Sequence, residues 1–170
     1  MKKLISIFLS LVMALSVFSC MGMNAYAATS TTVKFEQSNA RTVLNMINSF
    51  RSSSDAWYWN SDNTTKTYVT ASPLQYDYTL EKIAMQRACE LIYLYEHKRP
   101  NGSSVFTTYS DYGYTSNGEG ENIAQISYKG QNTVDNAAAV HDAWREDKEY
   151  YAGQGHRRAM LDPRYTAVGI

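Results

Sequence analysis

The two cysteines, Cys20 and Cys89, fall on opposite sides of an expected cleavage point, and this decides what can hold the chain together. Lys2-Lys3 precede an uncharged apolar run from Leu4 to Phe18, and small residues then lead to Ala25-Tyr26-Ala27. A basic start, a short apolar core and an A-x-A site read as a secretory signal peptide over residues 1–27. The apolar run is too short to span a bilayer comfortably. Cleavage after Ala27 removes Cys20 and leaves Cys89 alone, so no internal disulfide can form. A zinc site of four thiolates is excluded as well. The remaining chain, residues 28–170, is of a size for one domain and must be held by its own packed core. A second reading of the leader keeps Cys20: Val17-Phe18-Ser19-Cys20 loosely resembles a lipobox, which would make the product a lipoprotein anchored at Cys20.

Composition narrows the function. The 170 residues carry 16 Lys+Arg and 16 Asp+Glu. Loss of Lys2 and Lys3 with the leader leaves fourteen bases against sixteen acids, a net charge of −2. A nucleic-acid binder would present a basic face instead. A hydrophobic fraction of 44% with 13% aromatics excludes a disordered chain. Fourteen Tyr against five Phe point to a wet, hydrogen-bonding aromatic surface.

Periodicity predicts a first helix over Phe35–Phe50, with Val43, Leu44, Met46, Ile47 and Phe50 on one face. Ser52–Thr67 is polar and reads as a surface loop pinned by Trp57 and Trp59. Asp77 can cap a second helix whose stripe runs Leu80, Ile83, Ala84, Ala88, Leu91, Ile92, Tyr95. Cys89 lies in that apolar pattern and reads as buried core. Pro100-Asn101-Gly102 is a turn signal. Ser103–Asn117 reads as loop, and Ile123–Ile126 as a short strand. A third helix is predicted from Thr133 through Tyr151, a short one over His156–Leu161, and a strand from Tyr165 to Ile170. Helices separated by short strands suggest a mixed α/β domain with helices on a small sheet.

No H-E-x-x-H, P-loop, complete dinucleotide fingerprint or G-x-S-x-G elbow is present. Four scattered residues are chemically interesting. Extending the third helix to Tyr151 puts Asp147 in a stripe with Val140, Trp144 and Tyr151, a costly place for an acid unless it is paired. Glu146 and Glu149 fall off that stripe and read as solvated, as does His141. His97 is expected at the end of the second helix. His156 opens a short helix, where the dipole favours the neutral imidazole that can ligate a metal. Glu121 follows Gly120 at a strand entry. Each alone fits a structural hydrogen bonder; together they would make a two-His, two-carboxylate set suited to zinc or a similar divalent ion.

Segments in one order carry a resemblance. They are His97-Lys98-Arg99-Pro100-Asn101-Gly102, Gly120-Glu121-Asn122-Ile123-Ala124, Trp144-x-x-Asp147-x-x-x-Tyr151 and Gly155-His156-Arg157-Arg158-Ala159-Met160-Leu161. Leu44-x-x-Ile47-Asn48-x-x-Arg51 precedes them. The set resembles the CAP (SCP-domain) superfamily of cysteine-rich secretory, antigen 5 and pathogenesis-related proteins, in its bacterial secreted branch. The resemblance implies an α+β fold, a three-layer α-β-α sandwich of the CAP type, with its last C-terminal strands missing beyond Ile170. It implies a central cleft holding His97, Glu121, Asp147 and His156 around a metal, with Asn122, Trp144 and Tyr151 as cleft support. Asp147 departs from the family's usual Glu, and Glu146 is the nearest substitute.

The expected product is a secreted cleft-binding module rather than an enzyme. Its ligand would be a small molecule, a lipid, cell-wall material or a protein. Nucleic acid is not expected as a partner, and a membrane only through lipidated Cys20. The alternative is an extracellular hydrolase, a peptidase or glycosidase, working by metal-bound water or paired carboxylates.

Overall fold

A computed structural model describes residues 32–127 and 136–170. The expected signal peptide, Cys20 and the start of the third helix at Thr133 lie outside the described residues. All that follows concerns the compact unit Val33–Ile170.

Helix α1, Gln37–Arg51, turns Ala40, Val43, Leu44, Ile47 and Phe50 inward, the three-four spacing of a core-facing stripe. After it the expected loop is in fact a hairpin: β1, Trp57–Trp59, pairs antiparallel with β2, Lys66–Tyr68. The turn chemistry explains this. Asp62 accepts from the backbone N–H groups of Thr64 and Thr65, and Asn63 takes a left-handed φ of 54°. Strand β3, Gln75–Tyr76, leads into α2, Tyr78–Leu91, capped by Asp77, whose carboxylate accepts from Thr79 and Leu80 N–H. The helix stops well short of Tyr95, and Ile92, Tyr93 and Tyr95 are exposed. Cys89 is half-buried rather than core.

The Tyr-rich stretch holds a short helix, α3, Thr107–Asp111. Ile123–Ile126 forms no strand. Helix α4, Asn136–Arg145, packs along α1 through Ala137, His141 and Trp144. It does not reach Tyr151: Glu146 has φ 49°, a conformation that ends a right-handed helix. A 3₁₀ turn at Tyr151–Gly153 precedes α5, Gly155–Leu161, and then β4, Ala167–Val168. Strand β4 pairs parallel with β3, Gln75 facing Ala167 and Tyr76 facing Val168.

The chain is therefore mixed α+β. The core joins α1, α4 and α5 through Leu44, Ile47, Phe50, Trp144, Met160 and Leu161, with Leu74 beside them. Arg51, fully buried, ties this core to the C-terminal segment. Its guanidinium donates to the carbonyls of Ser72, Met160, Asp162 and Tyr165. Among the described residues no helix is long and apolar enough to cross a membrane.

Candidate functional site

Two imidazole–carboxylate pairs define the site. In the first, Glu121 Oε2 lies 2.8 Å from His97 Nδ1. The backbone before Glu121 is held by a close approach. Tyr165 donates its hydroxyl to the Glu119 carbonyl at 2.8 Å, and a Cβ on Gly120 would stand 2.8 Å from that same hydroxyl. It is the close Tyr165 hydroxyl, rather than a left-handed backbone, that favours glycine there.

Behind this pair stands Arg87 of α2, only 4% exposed. It donates from Nε to Glu121 Oε1 at 2.9 Å and from Nη2 to the Glu96 carbonyl at 3.1 Å, so it fixes both the carboxylate and the residue before His97. Its Nη1 meets Glu90 at 2.6 Å, and Glu90 also takes Arg99. Burial works to raise the Glu90 pKa, but hydrogen bonds from Arg99, Gln86 and Arg87 outweigh it and hold the carboxyl below the usual range.

In the second pair, Glu146 Oε1 lies 2.5 Å from His156 Nδ1, while Oε2 accepts the Arg157 backbone N–H at 3.2 Å. Buried Gln154 splints this corner, accepting the Trp59 N–H at 2.8 Å and donating to the Glu146 carbonyl at 3.3 Å. Arg157 is wholly buried and ties two stretches of chain, residues 55–57 and 145–147, to α5. It donates to the carbonyls of Trp57, Asp55 and Arg145 and, at 2.5 Å, to Asp147 Oδ1. The two pairs are joined by Asn122, whose Nδ2 donates to the His156 carbonyl at 3.2 Å.

Of the expected residues, His97, Glu121, Asn122 and His156 are thus connected. Asp147 is not with them: its carboxylate is spent on Arg157 and Arg145, and its side chain is 47% exposed. The inward stripe that placed it assumed a helix that has already ended at Arg145. Glu146, at the break, swings onto His156 in its stead, with a side chain 13% exposed. Trp144 sits in the core, and Tyr151 is exposed beneath the Arg158 guanidinium rather than at the pairs. His141, expected in solvent, is 7% exposed on the α1 side of α4, edge-on to Phe50. Arg87 was missed although it falls between Ala84 and Ala88 on the second helix's apolar stripe, where a lone cation signals a buried partner.

Exposure sorts the roles. The imidazoles are 55% and 31% exposed, and each partner carboxylate 13%. Neutral imidazoles donating Nδ1–H to these carboxylates keep Nε2 as the lone-pair nitrogen. Both oxygens of Glu121 and both of Glu146 are already committed. Among the described residues no group of three or more His, Cys, Asp or Glu side chains is gathered as a metal site.

A family model described as Cysteine-rich secretory protein family, CAP, matches residues 44–170. A curated relative is an uncharacterized protein, YkwD, of Bacillus subtilis (strain 168), 32% identical over 100 residues. That match covers 58% of this chain and 34% of the relative, so the chain spans about a third of the relative's length. No solved structure matches.

Proposed function

Because the chain belongs to the CAP, or cysteine-rich secretory protein, family, we propose that it is a secreted binding module whose cleft uses His97 and His156 as nitrogen donors to a divalent metal, zinc above others. The observation that supports this is the pairing itself: one oxygen of each carboxylate meets an imidazole Nδ1 while the other accepts from Arg87 or from the Arg157 backbone N–H. Glu121 and Glu146 therefore orient imidazoles and do not ligate, the arrangement that surrounds many metal-bound histidines. Two nitrogens leave the other positions to water or to an oxygen-bearing ligand. A bound zinc would supply Lewis acidity to such a ligand. Hydrolysis is the less favoured reading, because each carboxylate is already hydrogen-bonded to an imidazole and to a second donor, which makes it a weaker base.

Calorimetric titration of zinc into the wild type and into His97→Ala/His156→Ala tests the reading. Uptake by the wild type that vanishes in the double variant is the expected result. Equal uptake by both would sink it. Secretion is checked by N-terminal sequencing of exported protein, which should begin at Ala28; a lipid-modified Cys20 would mean an anchored form.

A further inference from the structure

The geometry points to a second binding site, separate from the imidazole pairs: a trough between β1 and the end of α5 that takes the phosphate group of a small ring-bearing molecule. The trough holds about 400 Å³ and is lined by Tyr58, Arg158, Asp162, Pro163, Arg164 and Tyr165. That volume is within the range of about 300–1,000 Å³ found for small-ligand pockets.

Its cationic side chains keep unspent hydrogen-bond donors, while its one acid is occupied. The acidic side chain is used up: Asp162 Oδ1 accepts from the Arg164 backbone N–H and Nε, and Oδ2 from Arg164 Nε and Nη2. Tyr165 already gives its hydroxyl proton to Glu119. Pro163 has no N–H to give or to satisfy. Donors remain. Arg164 keeps Nη1. Arg158 gives one Nη1 bond to the Tyr151 carbonyl and, among the described residues, keeps Nε and Nη2. The Tyr58 hydroxyl has no partner among the described residues either. Two guanidiniums against one neutralised carboxylate leave a net positive trough on a chain whose expected mature charge is −2.

A ligand suited to the two guanidiniums accepts hydrogen bonds and carries negative charge. Three donor-bearing side chains line one small space, a number that matches the three terminal oxygens of a phosphate monoester better than the two of a carboxylate. Tyr58 and Tyr165 line the same space and give it the aromatic surface that suits a ring on the ligand.

The probes are inorganic phosphate and phenyl phosphate, added to ¹⁵N-labelled protein while amide shifts are followed at fixed ionic strength. Saturable shifts confined to residues around Tyr58, Arg158 and Arg164 are expected, with phenyl phosphate about threefold tighter. Arg164→Gln and Arg158→Gln should each weaken phenyl phosphate about tenfold. Arg158→Gln releases the Tyr151 carbonyl and risks local unfolding; Arg164, with a side chain 84% exposed, carries the test without that risk. Non-saturating or scattered shifts, or unchanged affinity in Arg164→Gln, overturn the site. Equal affinity for the two probes overturns the ring-bearing ligand. The His97→Ala/His156→Ala protein should bind phenyl phosphate as the wild type does, which keeps this test separate from the zinc titration.

Discussion

The Glu146 carboxylate meets the His156 imidazole at 2.5 Å across ten residues of chain, because α4 breaks at Glu146 itself. A regular helix through this point would carry the acid elsewhere. The left-handed φ of 49° is unusual for a residue with a Cβ and is held by bonds on every side. Gln154 fixes the Glu146 carbonyl, and Arg157 N–H and His156 fix its carboxylate.

The neighbouring acids should separate by function. Glu146→Ala frees the His156 ring and is expected to weaken zinc binding about tenfold or more. Asp147→Ala should leave zinc affinity unchanged and lower stability instead, because it strips a buried guanidinium of its carboxylate, at a cost of about 1–3 kcal/mol. Zinc calorimetry and urea unfolding on the two variants read both quantities. A larger zinc effect from Asp147→Ala than from Glu146→Ala would reverse the assignment.

Arg51 should be among the costliest residues to replace. It is fully buried and donates to four carbonyls from three segments. Arg51→Met keeps much of the volume and removes every donor, leaving the carbonyls of Ser72, Met160, Asp162 and Tyr165 short of partners. The expected loss is about 3–5 kcal/mol in urea unfolding. A loss below about 1 kcal/mol would show that water replaces the guanidinium.

Much of the fold was readable because periodicity survives into the structure. The Val43, Leu44, Ile47, Phe50 stripe of α1 and the Asp77 cap of α2 follow from local rules. The site was only partly readable. His97, Glu121 and His156 stood out as chemically expensive residues beside turn signals. Glu146 entered only through the resemblance, as the nearest substitute for Asp147, while helix periodicity read it as solvated; its place depends on where α4 stops, and a helix end set by buried Arg157 and Gln154 is a tertiary event. The hairpin at Trp57–Tyr68 was masked by a polar composition that its Asp62 turn in fact requires.

Acid should destabilise the protein partly through His141. Burial lowers its pKa, the Arg145 charge adds to this, and Asp142 and Asp147 oppose it. Below its ordinary value of 6.5 the unfolded chain binds a proton that the native ring refuses. Stability is therefore complete above that pH and falls with decreasing pH until the depressed native pKa is passed. His141→Phe keeps an aromatic ring against Phe50 and removes the titration. Its melting temperature should fall less steeply than that of the wild type between pH 7 and 5, by thermal unfolding. Parallel slopes would place the acid sensitivity elsewhere.

Gly120 and Tyr165 should behave as a coupled pair. A Cβ on Gly120 would lie 2.8 Å from the Tyr165 hydroxyl oxygen and 3.2 Å from the ring carbon that bears it. Gly120→Ala therefore has to push the ring away, which breaks its bond to Glu119 and shifts the backbone that delivers Glu121 to His97. The expected loss of stability is about 1–3 kcal/mol, with weaker zinc binding. Tyr165→Phe alone loses one hydrogen bond, about 1 kcal/mol. In the double variant the closest clash is gone, so the combined loss should fall short of the sum of the single losses by at least about 0.5 kcal/mol. A double-mutant cycle on urea unfolding measures this coupling, and the zinc affinity of the same four proteins shows whether Glu121 returns to His97 when the ring is trimmed. Additive losses would mean that Gly120→Ala strains the chain somewhere other than at Tyr165.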